Sequence, residues 1–209
     1  MSYNNIKISY ERSFLYLLAK THKIIAKNII KNINADNKFL IIDKSFIRGN
    51  LKPDNFSSYK LKKHYKKESF DMIINKAIFL SSLSYKEIIN SYGKKKFNQE
   101  LGVVCHFLAD YFCLAHEERW EFKRRFKSHV QYEIILGRIA KNYVFDASCS
   151  DSNLNINYVG NFVNKNLREY EKVKGFEADI IFAQYVCNSV VQSILENVCA
   201  NTKKNTMVI

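Results

Sequence analysis

The chain contains five histidines, His22, His64, His106, His116 and His129, and each falls into one constellation with acidic residues. In His106-Phe-Leu-Ala-Asp110 an imidazole and a carboxylate stand at i and i+4. On a helix this spacing puts both side chains on one face, about one turn apart. His129-Val-Gln-Tyr-Glu133 repeats the pattern. A histidine and a carboxylate held in this way by a rigid scaffold can grip one divalent zinc. His116, in Leu-Ala-His-Glu, lies between the two pairs. On a continuous helix, at about 100° per residue, it is rotated well off the face of His106 and Asp110, and so suits a second metal better than the first. A single His-x-x-x-Asp pair is usually a surface pair or a satisfied core histidine. Here the repetition argues for more, and so do the neighbours. Asp110 is set in an otherwise apolar run, Cys105 to Leu114, and a buried carboxylate needs a partner such as a metal. His22, in the first amphipathic segment, and Asp54, beside the only proline, join the candidates on the same ground.

The elements that must position these residues read as helices. One proline and six glycines in 209 residues leave few of the turns that a sheet-rich fold needs. Apolar positions recur at helical spacing over 10–34, at Phe14, Leu17, Leu18, Ile25, Ile29 and Ile33. A short apolar stretch over 39–48 ends at Gly49-Asn50, a natural stop, and 51–58, with Pro53, is expected to be a loop. Helices are expected over about 61–82, 97–115, 119–142, 158–170 and 176–200, with a polar loop over 146–157, Gly175 between the last two helices and a frayed tail from Asn201. The spacing shows no repeats, and residues 1–209 read as a single all-α domain, long enough to bury a substantial core.

The cysteines number five, with no Cys-x-x-Cys pair. This fits a reduced chain, with Cys105, Cys113, Cys187 and Cys199 as small buried hydrophobes in apolar runs. The polar first residues, and the cations Lys20 and Lys23 directly after the apolar 14–18, give no secretory signal and no expected bilayer-spanning segment, so a cytoplasmic location is expected. Thirty-three Lys and Arg against 20 Asp and Glu give a net charge of +13, which attracts phosphates in nucleic acid or on a lipid surface without choosing between them. The composition excludes collagen, a disulfide mini-scaffold and wholesale disorder.

Taken together, several stretches resemble the zinc-dependent phospholipase C family of clostridial and bacillary type. They are Thr21-His22-Lys23, Gly49 to Asp54, His64-Tyr65, His106-x-x-x-Asp110, His116 and His129-x-x-x-Glu133, spread over 21–133. The resemblance implies an all-α multi-helix bundle of the zinc phospholipase C and single-strand nuclease type, with a zinc cluster in a cleft between helices. It implies one zinc on His64, His106 and Asp110, and a second on His116, His129 and Glu133. It implies a third on His22, with Asp110 bridging to the first, and gives Asp54 the task of orienting or deprotonating the attacking water. Two zinc sites are expected. In secreted relatives an N-terminal tryptophan completes the third, whereas the only tryptophan here is Trp120, and Glu11 is the carboxylate at a suitable distance before His22. No C-terminal lipid-binding domain is expected.

This inventory suits phosphodiester hydrolysis. Zinc lowers the pKa of bound water from about 15.7 towards about 7, and further cationic charge neutralises the phosphate oxygens. The expected reaction cleaves phospholipid to diacylglycerol and a phosphorylated head group, with phospholipid or a membrane surface as partner and no obligate protein partner. The basic, tyrosine-bearing segment 59–67 could rest on anionic head groups. Head-group-binding residues are left unassigned, because Asn55 and Leu61 stand where a choline cage would want aromatics. Two alternatives come from other classes. A zinc nuclease or small-molecule phosphodiesterase suits the +13 charge, but such nucleases typically close the second motif with aspartate rather than Glu133. A non-catalytic zinc-stabilised lipid- or partner-binding protein has no use for a water-directing carboxylate such as Asp54.

Overall fold

The most apolar stretch in the middle of the chain becomes the central helix. In the computed structural model, which describes residues 20–55, 65–118, 126–145 and 150–206, every regular element is helical, and no strand occurs among the described residues. The fold is all-α, as expected. Helix α1 spans 20–32, α2 Asp43–Asn55, α3 Lys66–Ser82 and α4 Lys94–Tyr111. The short α5 is Leu114–Glu117, α6 Phe126–Asn142, α7 Val159–Tyr170 and α8 Phe176–Thr206. From Glu100 to Tyr111 every residue of α4 is buried, the pattern of a helix enclosed on all sides. It packs against α2, α3 and α8.

The contact between α2 and α4 is made possible by two glycines. A Cβ on Gly49 would lie 2.0 Å from the Gln99 carbonyl oxygen, and one on Gly102 would lie 2.3 Å from the Phe46 oxygen. Only hydrogen at both positions lets the two backbones touch. This explains two departures from the sequence expectation. Gly49-Asn50 does not stop a helix, because Gly49 serves a close approach in the middle of α2. Residues 51–55 are helical rather than a loop, because Pro53 falls in the last turn, where only the bond to the Gly49 carbonyl is forfeited, and packing on α4 outweighs it. Positions 56–58 lie outside the described residues.

Other boundaries also move. The helix expected over 97–115 breaks at Phe112 and Cys113, where Cys113 is extended (φ −119°, ψ 117°) and begins α5. The expected frayed tail is helical to Thr206. The Thr202 hydroxyl accepts the Tyr85 N–H at 2.8 Å and the Asn201 amide donates to the Ser81 carbonyl at 3.0 Å, tying the end of α8 to the turn after α3. The early parts of the first, third and fifth expected helices, and 146–149 of the expected loop, lie outside the described residues.

Helix α8 tests the expectation of no bilayer-spanning segment. By length and composition Phe176–Lys204 is apolar enough, but 78% of its most apolar window is buried inside the fold, so it is a core helix. Some of its buried polar side chains bond within the helix, as with the Ser189 hydroxyl to the Tyr185 carbonyl at 2.8 Å, and others reach across the fold, as with the Gln192 amide to the Asn32 carbonyl at 2.9 Å. The main apolar core joins α1–α4, α7 and α8, and a smaller cluster of Cys113, Ala115, Tyr132, Leu136, Ala140 and Ile180 joins α5, α6 and α8.

Candidate metal centre

The centre is built around Asp110, in the last turn of α4. Because α2 touches α4, the Asn50 backbone carbonyl reaches the ring of His106 and accepts from Nδ1 at 2.8 Å. A carbonyl can only accept, so Nδ1 carries the hydrogen and Nε2 presents its lone pair. That Nε2 lies 3.2 Å from Asp110 Oδ2 and 3.5 Å from Asp54 Oδ1. From α1, His22 stacks on His106 with centroids 4.0 Å apart and brings Nε2 to 3.1 Å from Asp110 Oδ1. From α5, His116 Nε2 lies 3.8 Å from Asp110 Oδ1 and 3.4 Å from Glu133 Oε1. On α6, His129 is buried edge-to-face against His116, with centroids 5.0 Å apart.

These spacings fit a cation. Two ligands about 2.0–2.1 Å from one tetrahedral zinc stand about 3.3 Å from each other. A direct charge-assisted hydrogen bond closes to about 2.7–2.9 Å. The nitrogen–oxygen separations here, 3.1–3.8 Å, bracket the first value and miss the second. The donor chemistry agrees, since imidazoles with carboxylates are zinc's usual nitrogen and oxygen ligands. His22 Nδ1 is buried without a hydrogen-bond partner, so the ring is held by what its other nitrogen faces. Burial alone would push the Asp110 carboxyl up, yet His106, His116 and His22 together hold it well below the usual carboxylate range. Two sets of donor atoms lie within 4.8 Å of one another, His22 with Asp54 and His106, and Cys113 with His116 and Glu133; Asp110 and His129, expected in the zinc ligand sets, fall in neither.

Asp179 braces the second group from α8. It accepts the Tyr132 hydroxyl at 2.8 Å, the Tyr170 hydroxyl at 2.6 Å and the Leu114 N–H at 3.2 Å, so α5 and α6 are tied to one buried carboxylate. Burial outweighs these bonds and raises Asp179 to about 6. Beside the centre opens a cleft of about 520 Å³, with Asp110 and His116 on its lining, aromatic walls from Tyr65, Phe70, Tyr111 and Tyr170, and both charges represented by Lys66, Lys67, Asp71, Glu117 and Glu171. Its size is that of a small-molecule site.

The structure thus brings together His22, Asp54, His106, Asp110, His116, His129 and Glu133. His64, the expected third ligand of the first zinc, lies outside the described residues, as do Glu11, Trp120 and most of the basic segment 59–67. His116 is separated from the His106 face by the break at Cys113 rather than by rotation along a continuous helix, and it still approaches Asp110. Sequence reasoning passed over Asn50, Asp179 and Cys113. Asp179 carried only a weak signal, as one of two carboxylates, with Glu177, in the first turn of α8. Asn50 carried none, since it acts through its backbone.

An all-helical fold that gathers histidines and carboxylates from five helices beside an interhelical cleft defines a class of metal-dependent helical proteins. The chain belongs to the zinc dependent phospholipase C family, whose model matches residues 21–177, reaching from His22 beyond all the gathered donors. The family is one of zinc-dependent hydrolases whose substrate is phospholipid. No curated protein and no solved structure gives a significant match.

Proposed function

We propose that this chain hydrolyses phospholipid on the glycerol side of the phosphate, releasing diacylglycerol and a phosphorylated head group. The observation that carries this reading is the convergence of His22, His106 and His116 on the two oxygens of Asp110, on the lining of a 520 Å³ cleft. His106 and Asp110, with His64, would hold one zinc, His116, His129 and Glu133 a second, and His22 with Asp110 a third. When bound, zinc supplies Lewis acidity towards the phosphate and makes a water acidic enough to attack near neutral pH.

The chain's own groups supply the rest. The Asn50 carbonyl fixes the ring of His106, so that Nε2 is always the nitrogen presented to the centre. Asp54, on the α2 side of His106 and partly exposed, is the carboxylate that accepts the proton of the attacking water and sets its direction. Lys66 and Lys67 draw the anionic phosphodiester to the cleft, and the walls Tyr65, Phe70 and Tyr111 exclude water from around it. Cys105, Cys187 and Cys199 are unbridged, which agrees with a reduced chain, Cys187 donating to the Cys105 carbonyl at 3.4 Å.

The test is release of phosphorylated head group from phospholipid vesicles by the zinc-loaded protein. Chelation should abolish it, and Asp54→Asn should lower it about 10²–10⁴-fold. Turnover of single-stranded DNA without lipid turnover would establish a nuclease instead. Full zinc occupancy with neither activity would establish a non-catalytic zinc protein.

A further inference from the structure

We infer that Cys113 is a metal ligand of this centre, its thiolate joining His116 and Glu133 on the second cation. The inference rests on the zinc reading above. The break between α4 and α5 leaves Cys113 extended and three residues ahead of His116, so both side chains reach the same side of α6. Cys113 Sγ lies 3.5 Å from Glu133 Oε1, and that same oxygen lies 3.4 Å from His116 Nε2. The donor atoms of the three residues all fall within 4.8 Å of one another. A sulfur about 2.3 Å and an oxygen about 2.0 Å from one tetrahedral zinc stand about 3.5 Å apart, which is the separation found.

A second observation points to the same place. Cys113 and Glu133 line a small internal gap together with His22 and Asp110. His22 is 7% exposed, and its Nδ1 is buried without a hydrogen-bond partner. The gap is therefore walled by a thiol, an imidazole and the carboxylates of Asp110, Glu133 and Asp179 rather than by hydrocarbon alone, and such a donor set suits a zinc-like cation.

With His116 and Glu133, Cys113 would give the second cation three protein donors within 4.8 Å of one another, and His129 lies edge-to-face on His116 beside them.

The test uses the full chain, stripped with chelator and reloaded with cobalt(II), reading bound metal per chain and the absorption spectrum. The expected result is a sulfur-to-cobalt charge-transfer band in the near ultraviolet in the wild type, lost in Cys113→Ser while cobalt stays bound. The wild-type spectrum stands on its own should the variant fail to fold. Cobalt bound by the wild type with no such band, or a band that survives Cys113→Ser, overturns the Cys113 assignment and leaves the zinc reading standing, with the thiol merely donating to Glu133. A wild type that binds no cobalt overturns both.

Discussion

Gly102→Ala should loosen the centre without touching any of the candidate ligands. The added Cβ would meet the Phe46 carbonyl oxygen at 2.3 Å and the Asn50 nitrogen at 2.6 Å, where ordinary contact begins at 3.4 Å. Both neighbours are backbone, so no side chain can swing aside, and α2 must retreat from α4 by about 1 Å. That retreat carries the Asn50 carbonyl away from His106 Nδ1, from 2.8 Å to beyond hydrogen-bond reach, and moves Asp54 with it. Overpacking costs about 1–3 kcal/mol and the lost buried hydrogen bond about 1 kcal/mol more, against about 1 kcal/mol regained from the helix preference for alanine. At about 2–4 °C per kcal/mol for a chain of this size, the zinc-loaded protein should melt several degrees lower. Head-group release should fall on the order of 10²-fold, the usual effect of a 1 Å misplacement. Gly160→Ala is the control, because its Cβ would meet only side chains, the nearest at 3.7 Å, so it should be neutral or slightly stabilising. A Gly102→Ala protein with wild-type melting temperature and turnover would refute the claim that this backbone contact holds His106 in place.

The remaining expectations follow from other buried groups. Asn50 is fully buried with both side-chain polar atoms unpartnered, so Asn50→Leu should keep the backbone carbonyl, retain turnover and raise stability by about 1–3 kcal/mol in denaturant titration, whereas lost turnover would show that the amide itself acts. Asp179 has its folded pKa raised to about 6 from 3.8, so the folded state binds more protons between those values and the group's contribution to stability is lost as pH rises through that window. The shift corresponds to about 3 kcal/mol, and Asp179→Asn should become more stable relative to wild type by about that amount between pH 4 and 6; parallel profiles would contradict it. Removing zinc should lower the melting temperature by about 10 °C or more, since free zinc at about 1,000 times Kd adds about 4 kcal/mol to the folded state. A chelator that leaves the melting curve unmoved would mean the gathered donors hold no metal.

Much of the centre was legible because helical periodicity is written in residue type. His106 with Asp110 and His129 with Glu133 needed only the spacing of one turn, and each pair indeed shares a helix. The apolar setting of Asp110 predicted its burial. What escaped is what depends on a partner element. Gly49 looks like a stop until Gln99 is known to press against it, and Pro53 looks like a loop until α4 is known to hold the helix together. The role of Asn50 belongs to its carbonyl, which every residue type carries, so no composition or spacing could single it out. Cys113 is the small buried hydrophobe the sequence suggested, in the smaller apolar cluster; what no glycine or proline announces is the α4–α5 break that also brings its sulfur to Glu133.

The bracing of α5 and α6 by Asp179 also has a consequence for synthesis. A nascent chain emerges from its N-terminal end. Once α6 is out of the ribosome, His22, Asp54, His106, Asp110, His116, His129 and Glu133 have all been made. Yet the carboxylate that tethers Leu114 and Tyr132, and the core helix against which α4 packs, have not. The donors are thus all made before the helix that braces them. A chain cut short before residue 179 carries these candidate ligands without the carboxylate that ties α5 to α6 or the helix that covers α4.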